Sequence, residues 1–326
     1  MINIYTQTNG TIRRNDFPHT GQLPPDTVWI DMLSPTQEEE KAVESALHID
    51  APTREEMQEI EPSSRIYQEA DASYLTITVT TKADTPSPES AVVTFIRTPR
   101  LLVTKRFAEP QAIKTFISRA SRQAAMVNNG DAALTGLLDA VIDRAADILE
   151  RVGGELDSLS KGIFSARQIK STGASADLEE VLRRLGRTED LTSKVQESLL
   201  SIGRVVTFLS QTTGEAKVTK DQRTRVKTLY RDAHSLSEHA GFLAHKSNFL
   251  LDATLGLINI EQTAIIKIFS VAAVVFLPPT LVASIYGMNF EWIPELHWRF
   301  GYFWGLALMV GSAVLPYWFF KRRGWL

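Results

Sequence analysis

Two long runs of apolar residues near the end of the chain dominate its hydrophobic pattern. The first extends from Ile268 to Tyr286 and the second from Phe300 to Phe320, with a short polar connection between them. Each run has about 20 residues, enough to cross a hydrocarbon core of ~30 Å at ~1.5 Å per residue. Five of the six tryptophans lie in or beside the second run, as expected of anchors at a membrane surface. We therefore predict two transmembrane helices rather than two buried helices of a soluble domain.

Upstream of these runs, apolar positions recur with the period of an α-helix. Residues 131–167 and 176–210 are predicted to be amphipathic helices. The predicted polar breaks are 171–175 and 211–214. From Thr219 no proline occurs before Pro278, so a third helix is expected to continue through the first apolar run to Tyr286. At ~1.5 Å per residue this helix is ~100 Å long, so we expect it to start in the cytoplasm and to end at the outer face.

The first third of the chain has the pattern of a small sheet with helices on its faces. Thr27–Met32 is predicted to be a strand, followed by a helix that Ser34 caps and Pro35 opens. Thr53 is expected to cap a second helix, with Glu56 three residues later. Further predicted strands are 74–80, 91–97 and 101–105, and the proline-rich segment 83–88 is a predicted loop. A small α/β domain is the expected assembly.

The predicted fold class is α+β followed by α: a cytoplasmic α/β domain, then a long stalk helix that is continuous with the first of two transmembrane helices. The predicted segments are an α/β domain at 1–125, antiparallel helices at 126–218, the stalk and first transmembrane helix at 219–286, a periplasmic loop at 287–299, the second transmembrane helix at 300–320 and a basic tail at 321–326.

Charge near the two spans predicts their orientation. The N-terminal residues lack the basic lead and apolar core of a signal peptide, so the front domain is expected to stay in the cytoplasm. A basic collar precedes the first span and follows the second: Lys267, Lys321, Arg322 and Arg323. The loop between the spans carries Glu291 and Glu295 against a single Arg299. By the positive-inside rule the loop faces outward and both termini face the cytoplasm, as in a protein of the inner (plasma) membrane.

The loop begins with a polar turn, Gly287-Met288-Asn289, directly after Tyr286. Mg²⁺ prefers octahedral oxygen ligands and loses its water reluctantly, so a neutral carboxamide such as that of Asn289 can bind the hydrated ion without stripping it. Gly287 is expected to supply an exposed carbonyl and the freedom to end the helix. Met288 is expected to pack, because a thioether is a poor ligand for a hard cation. Glu291 and Glu295 would concentrate cations at this mouth.

One face of the long helix combines small, hydroxyl-bearing and branched apolar residues. Steps of three or four place these residues in one stripe: Thr263, Ile266, Ser270, Ala273, Leu277, Thr280 and Ser284. Small and hydroxyl-bearing side chains suit a wet axis, and rings of Ile266 and Leu277, with the neighbouring Phe269, could close it by dewetting. For Thr280 and Ser284 the alternative is a hydrogen bond to a carbonyl of their own helix. One chain has too few spans to enclose a path, so a symmetric homo-oligomer is required.

With Tyr286-Gly287-Met288-Asn289 at this location, the chain resembles the CorA family of magnesium transporters, densely over 250–326 and more thinly before. The resemblance implies a funnel of five copies, Mg²⁺ as the transported ion with Co²⁺ as an alternative substrate, and a pore lined by the matching Thr and Asn positions. It also implies that Asp252 belongs to a divalent-ion site between subunits that holds the pore shut. The carboxylate partner of Asp252 is expected in the front domain of a neighbouring chain, where an acidic patch offers four candidates: Glu55, Glu56, Glu59 and Glu61.

Other functions lack the residues that they need. No phosphate-binding Gly-x-x-x-x-Gly-Lys motif occurs, so the membrane potential is the expected driving force. Two charges crossing 100 mV gain ~4.6 kcal/mol, or roughly three decades of gradient. The absence of cysteine excludes thiolate metal sites. Basic residues are interspersed with acidic ones, which argues against a nucleic-acid partner, and no catalytic constellation indicates an enzyme.

Two alternatives to a magnesium channel stay open. Zinc transporters of the same superfamily are similar, but they commonly carry Ile where this chain has Met288. A membrane-anchored sensor or scaffold that conducts no ions would need the same two spans, and for it Asn289 would have no role in flux. An enzyme tethered by a helical hairpin is the weakest alternative.

Overall fold

The computed structural model describes residues 1–8, 11–17, 23–123, 127–165, 174–215, 219–289 and 294–323. The chain forms two compact units, Met1–Leu251 and Asp252–Leu326. The boundary falls inside one long helix, Lys220–Tyr286, which the sequence assigns to a single segment at 219–286.

The first unit is built on a mixed β-sheet. Seven strands are present within the described residues: β1 Ile2–Thr8, β2 Thr11–Asp16, β3 Thr27–Leu33, β4 Ile66–Glu69, β5 Ala72–Thr81, β6 Glu89–Arg97 and β7 Leu102–Arg106. Their order is β2-β1-β3-β7-β6-β5-β4. β3 and β7 pair in parallel, whereas the other neighbours pair antiparallel. The sequence predicts β3, β5, β6 and β7 to within about two residues at each end, and it misses β1, β2 and β4.

Both faces of this sheet are covered, which is why its central strands are rich in β-branched and aromatic residues. On one face Ile30 and Met32 of β3 share a buried cluster with Val43. On the other face Trp29 stacks on Tyr5 at a ring-centroid distance of 4.2 Å and meets the edge of Phe116 at 5.8 Å. Successive side chains of β3 point to opposite faces of the sheet, so this strand contributes to a hydrophobic core on each face.

Short helices lie between β3 and β4 and after β7. They are α1 Gln37–Leu47, α2 Arg54–Gln58, α3 Pro62–Arg65 and α4 Gln111–Ala120. Thr53 caps α2 through a reciprocal box with Glu56, as predicted. The predicted cap of α1 is wrong: Ser34 has a φ of 43°, and Thr36 caps the helix in a box with Glu39. This box explains why Thr36 rather than Ser34 is the cap. The Glu39 carboxylate accepts from the Thr36 amide, and the Thr36 hydroxyl accepts from the Glu39 amide.

Two long helices complete the first unit, together with the start of the helix Lys220–Tyr286, which is α7. α5 spans Gly130–Phe164 and α6 spans Ala174–Glu215. The predicted break at 211–214 is wrong, because α6 continues to Glu215 and the Thr212 hydroxyl donates to the Phe208 carbonyl (2.8 Å) within it. The predicted break at 171–175 lies mostly outside the described residues. Ser201 of α6 accepts a hydrogen bond of 3.0 Å from the backbone of Thr78, which ties this helix to β5.

The second unit contains the two apolar spans. α7 is Lys220–Tyr286, and α8 is Gly301–Arg322. A 3₁₀ turn at Pro294–His297 precedes α8. Within the described residues, these two helices are long and apolar enough to cross a membrane. The sequence therefore predicts both the existence and the approximate ends of these helices correctly, and the predicted order of α/β domain, long helix and apolar helix is confirmed.

Candidate cation pathway

The polar turn after α7 is held by the helix that precedes it. The Gly287 amide donates to the Ala283 carbonyl at 2.9 Å, and the Met288 amide donates to the Ile285 carbonyl at 3.3 Å. A Cβ atom at position 287 would lie 3.2 Å from the Ala283 carbonyl oxygen, and the backbone there is not in the left-handed region. Close approach, rather than a positive φ, therefore favours glycine at this position.

The side chains beyond Gly287 face away from the chain. Asn289 is exposed, and Met288 is 50% exposed, so any packing of Met288 must come from outside the single chain. The predicted acidic loop is described only in part: Glu291 lies outside the described residues. Glu295 is half-buried in the 3₁₀ turn, where its carbonyl accepts from the Trp298 amide at 3.2 Å.

The predicted stripe lies on the free side of α7. Its members Thr263, Ile266, Ser270, Ala273, Leu277, Thr280 and Ser284 are all exposed. The half-covered positions between 270 and 287 are Val271, Ala272, Val274, Val275, Pro278, Pro279, Val282 and Tyr286. At 3.6 residues per turn, these positions fall on the opposite side of the helix. α7 therefore has one side partly covered by its own unit and one side, the stripe, left open.

Three hydroxyl groups of the stripe bind their own helix. Thr263 donates to the Asn259 carbonyl at 2.8 Å, Ser270 to Ile266 at 2.8 Å and Thr280 to Phe276 at 2.6 Å. These bonds satisfy the hydroxyl protons, as is common in membrane helices. A hydroxyl has one proton and two acceptor lone pairs, so each oxygen can still accept a hydrogen bond from water beside the helix.

The predicted gate residues are large, apolar and open to the surroundings. Ile266 is 65% exposed, Phe269 is 71% exposed and Leu277 is 66% exposed. Lipid would cover such side chains as readily as an axial position would. Ile266 and Leu277, however, lie on the same face as polar and small residues. A face that contacts only lipid has no need of such residues, so this composition favours an axial position.

Sequence reasoning missed one feature of this helix, the pair Pro278-Pro279 inside α7. Proline has no amide hydrogen, so the carbonyls of Val274 and Val275 lose their helical donors. In hydrocarbon a carbonyl without a donor is costly, and such breaks are tolerated where water or another helix reaches the backbone. The sequence already contained the signal for this break in hydrogen bonding: two adjacent prolines within an apolar run.

Asp252, the predicted regulatory ligand, is exposed on α7. Among the described residues, no three histidine or acidic side chains are grouped to hold a metal ion. Of the acidic residues considered as its partner, Glu56 is already used: its carboxylate accepts from the Thr53 amide at 2.7 Å and from the Thr53 hydroxyl at 3.0 Å, which lowers the pKa of Glu56. Glu55, Glu59 and Glu61 are exposed.

The chemistry of Asp252 nevertheless fits Mg²⁺. This ion is usually held by one or two carboxylates and keeps several waters. A site of that kind needs few protein ligands, and here a second chain would have to supply the remainder.

The basic collar lies at the other end of the spans. Lys267, Lys321, Arg322 and Arg323 are all exposed. The guanidinium of Arg322 lies 5.2 Å from the ring centre of Trp318, and that of Arg323 lies 4.8 Å from the ring centre of Phe319. These cation–π contacts place charge beside aromatic rings, an arrangement suited to a membrane surface.

Comparison with known proteins agrees with these features along the whole chain. The family model described as CorA-like Mg²⁺ transporter protein matches residues 25–322. The magnesium transport protein CorA of Pectobacterium atrosepticum is 36% identical over 327 aligned residues and is covered completely, as is this chain. That of Salmonella typhimurium is 37% identical over 302 residues, 92% of each chain. The complete structure of the CorA magnesium transporter from Methanocaldococcus jannaschii matches with a TM-score of 0.74 at 20% identity, over 100% of this chain and 99% of that one.

Proposed function

The chain belongs to the CorA-like Mg²⁺ transporter family, and on that premise we propose that it forms a channel that admits hydrated Mg²⁺ to the cell and closes when internal Mg²⁺ is high. The protein is a magnesium transporter of this family and not an enzyme. The proposal concerns how its residues select the ion, line the path and regulate it.

The open stripe of α7 is the observation that carries the proposal. The opposite side of α7 is partly covered within its own unit, while Thr263, Ser270 and Thr280 are exposed on the free side. When several copies surround an axis, each can direct this side inward, and closed cyclic assembly is the normal form of homo-oligomers. The number five comes from the resemblance to the family.

The hydroxyl groups of the stripe suit a hydrated cation. Their protons are directed to carbonyls of the same helix, so their oxygens act toward the axis as acceptors. The waters around Mg²⁺ point their hydrogens outward and donate to such acceptors. Asn289 would form the selective ring at the outer end, because neutral amide oxygens bind the hydrated ion weakly enough for release.

The driving force and the closing mechanism are separate. Inward movement would follow the membrane potential, which is worth ~2.3 kcal/mol per charge per 100 mV. Closure would come from Mg²⁺ bound between subunits through Asp252, with Ile266, Phe269 and Leu277 forming the apolar constriction. Both termini and the basic collar would face the cytoplasm of a cell whose inner membrane holds the channel, and Co²⁺ would be an alternative substrate.

Liposome flux tests this function directly. Purified protein is reconstituted with a Mg²⁺ indicator inside, a potential negative inside is imposed, and uptake of Mg²⁺, Co²⁺ and Zn²⁺ is compared. We expect Mg²⁺ and Co²⁺ uptake by the unmodified protein and uptake at the level of empty liposomes for Asn289→Ala. His297→Ala changes another exposed polar residue near the outer ends of the spans and should retain uptake.

The same assay separates the alternatives. Uptake of Zn²⁺ without Mg²⁺ would support a zinc transporter. Correctly assembled protein that passes no ion, or Asn289→Ala with unchanged flux, would support a sensor or scaffold and contradict the channel. Native mass measurement of the same preparation gives the number of subunits.

A further inference from the structure

A cleft of about 240 Å³ lies between α7 and α8 within the second unit. Its walls are mainly apolar and include Val271, Val274 and Val275 of α7 and Phe320 of α8. Lys267, Tyr317 and the stripe residue Ser270 also belong to the lining, mostly through the apolar parts of their side chains. Lys267 comes just before the apolar part of α7, so the charge lies at the end of the span that carries the basic collar.

The charges around this cleft favour an anionic occupant. Among the described residues Lys267 forms no ion pair, and its side chain is exposed. α8 ends at the same level with Lys321, Arg322 and Arg323. Neither 262–289 nor 301–323 contains an acidic residue. The apolar spans of a second copy packed here would therefore bring more positive charge and no carboxylate, and the nearest acidic residue on α7 is Glu261, six residues before Lys267.

The shape and the chemistry of the cleft match those of a phospholipid. The valine wall and Phe320 offer apolar surface to an acyl chain, and burial of its CH₂ groups there is favourable. The ammonium group of Lys267 and the hydroxyl of Tyr317 can both donate to a phosphate oxygen. Basic pockets between membrane helices on the cytoplasmic side are a known type of site for anionic lipid headgroups.

We propose that the cleft binds one anionic phospholipid per chain, with its phosphate on Lys267 and one acyl chain between the valines of α7 and Phe320. Bound lipid would join α7 to α8 at their basic end. The proposal depends on insertion of both helices in a membrane, which it shares with the proposed function, and it does not depend on ion conduction.

Native mass spectrometry of the full-length protein in detergent tests the site. The protein is titrated with phosphatidylglycerol, which is anionic, and separately with phosphatidylcholine, which has no net charge, and bound lipids are counted per chain. We expect phosphatidylglycerol to bind more tightly. Lys267→Gln should weaken phosphatidylglycerol binding about fivefold, since a basic residue near an anionic headgroup contributes about 1 kcal/mol, and Lys267→Arg should restore it.

Matched variants separate this cleft from the basic surface in general. Lys321→Gln removes a charge from the same collar but not from the lining, and it should weaken binding less than Lys267→Gln. Val274→Trp fills the cleft and should abolish the preferred site, whereas Leu281→Trp, at an exposed position of α7 outside the lining, should not. If Val274→Trp does not assemble, the two Lys267 variants decide the question.

Three results would overturn the proposal. The first is equal binding of the two lipids, and the second is an equal effect of Lys267→Gln and Lys321→Gln. The third is lipid bound to the dissociated chain but not to the intact oligomer. That result would mean that a neighbouring subunit covers the cleft. Asn289→Ala should keep its lipid even though its flux is lost, so the lipid site and the channel can fail independently.

Discussion

The hydroxyl of Thr280 donates a hydrogen bond of 2.6 Å to the carbonyl oxygen of Phe276, one turn earlier in α7. The bond spans Pro278-Pro279, the two prolines that leave the carbonyls of Val274 and Val275 without amide donors. It fixes the orientation of the hydroxyl group, so that the proton points to the helix and the oxygen accepts from water. A side chain that satisfies its own helix can therefore still serve a hydrated path.

Substitution of Thr280 tests this role. Thr280→Val keeps the size and branching of the side chain and removes the acceptor. We expect Mg²⁺ flux to fall about fivefold, because one hydrogen bond contributes about 1 kcal/mol. Thr280→Ser retains the hydroxyl and should conduct close to the unmodified rate. If Val and Ser give equal flux in the liposome assay, the hydroxyl serves only the helix.

Asp252→Asn should weaken closure by internal Mg²⁺. The amide keeps the shape of the side chain but removes the charge that would hold a divalent ion between chains. Coupling energies between sites are typically 1–3 kcal/mol, or roughly 5- to 150-fold in affinity. We therefore expect the internal Mg²⁺ concentration that halves the flux to rise at least about fivefold. The measurement is uptake into liposomes loaded with increasing Mg²⁺.

The matched control for Asp252 is Glu238→Gln. Glu238 is exposed on the same helix and lies 3.6 Å from His234, so it is an ordinary surface acid. Removal of the Glu238 charge should leave unchanged the internal Mg²⁺ concentration that halves the flux (the inhibitory concentration). An inhibitory concentration that is the same for Asp252→Asn and the unmodified protein would remove Asp252 from the gate.

A buried ion pair joins the two parallel strands of the sheet. Arg106 of β7 binds both carboxylate oxygens of Asp31 of β3, with Nε–Oδ1 at 2.9 Å and Nη2–Oδ2 at 2.7 Å, and the side chains are 5% and 0% exposed. Removal of one partner leaves the other charge buried and alone, which costs about 3–5 kcal/mol. We expect Asp31→Asn to lower the free energy of unfolding by that amount in urea titrations followed by circular dichroism.

A surface pair provides the comparison for Asp31. Arg119 and Asp143 lie 3.1 Å apart, and both side chains are more than half exposed. Such pairs contribute about 0–1 kcal/mol, so Asp143→Asn should change the free energy of unfolding by no more than that. Equal losses for Asp31→Asn and Asp143→Asn would show that the buried pair has no special importance.

The helices could be predicted from the sequence more fully than the sheet. The α7 helix follows from a long stretch free of proline and from the apolar run at its end, and both signals are local. The strands β1 and β2 pair with each other across only two residues of sequence, Asn9-Gly10, so a local hairpin signal was available and was overlooked. The pairing of β1 with β3 joins more distant segments. The break expected at 211–214 was wrong because glycine and threonine weaken a helix by too little to end one that is packed.

The site is predictable only as far as one chain defines it. The face of α7 follows from helical periodicity, and its residues are exposed in the structure. That they line a pore stays a prediction. A ring of Asn289 and a metal site at Asp252 both require neighbouring chains, so they stay predictions. The cleft beside Lys267 was missed because Tyr317 and Phe320 come from a different helix, about 50 residues further along the chain.

We expect Glu189 on α6 to make the stability of the protein depend on pH. Among the described residues, no hydrogen-bond donor reaches its buried Oε2 atom. Burial raises the pKa of this carboxyl group, and the charge of His245 opposes the shift. Because the folded-state pKa is raised, the charged form destabilises the folded state at neutral pH. Stability should therefore be gained as the pH falls through the raised pKa toward the ordinary value of 4.5.

Glu189→Gln removes this dependence. At neutral pH the neutral amide should raise the free energy of unfolding by at most about 1 kcal/mol, because the side chain is only partly buried and solvent screens part of the cost of its charge. As the pH falls through the raised pKa, the carboxyl group of the unmodified protein takes up its own proton in the folded state, so the difference should shrink in acid. Glu179→Gln, which alters an exposed pair with Arg183 on the same helix, should have a small effect at both pH values. Unfolding titrations at the two pH values decide the matter: a Glu189→Gln advantage that does not shrink in acid would mean that packing, rather than charge, sets the cost of this residue.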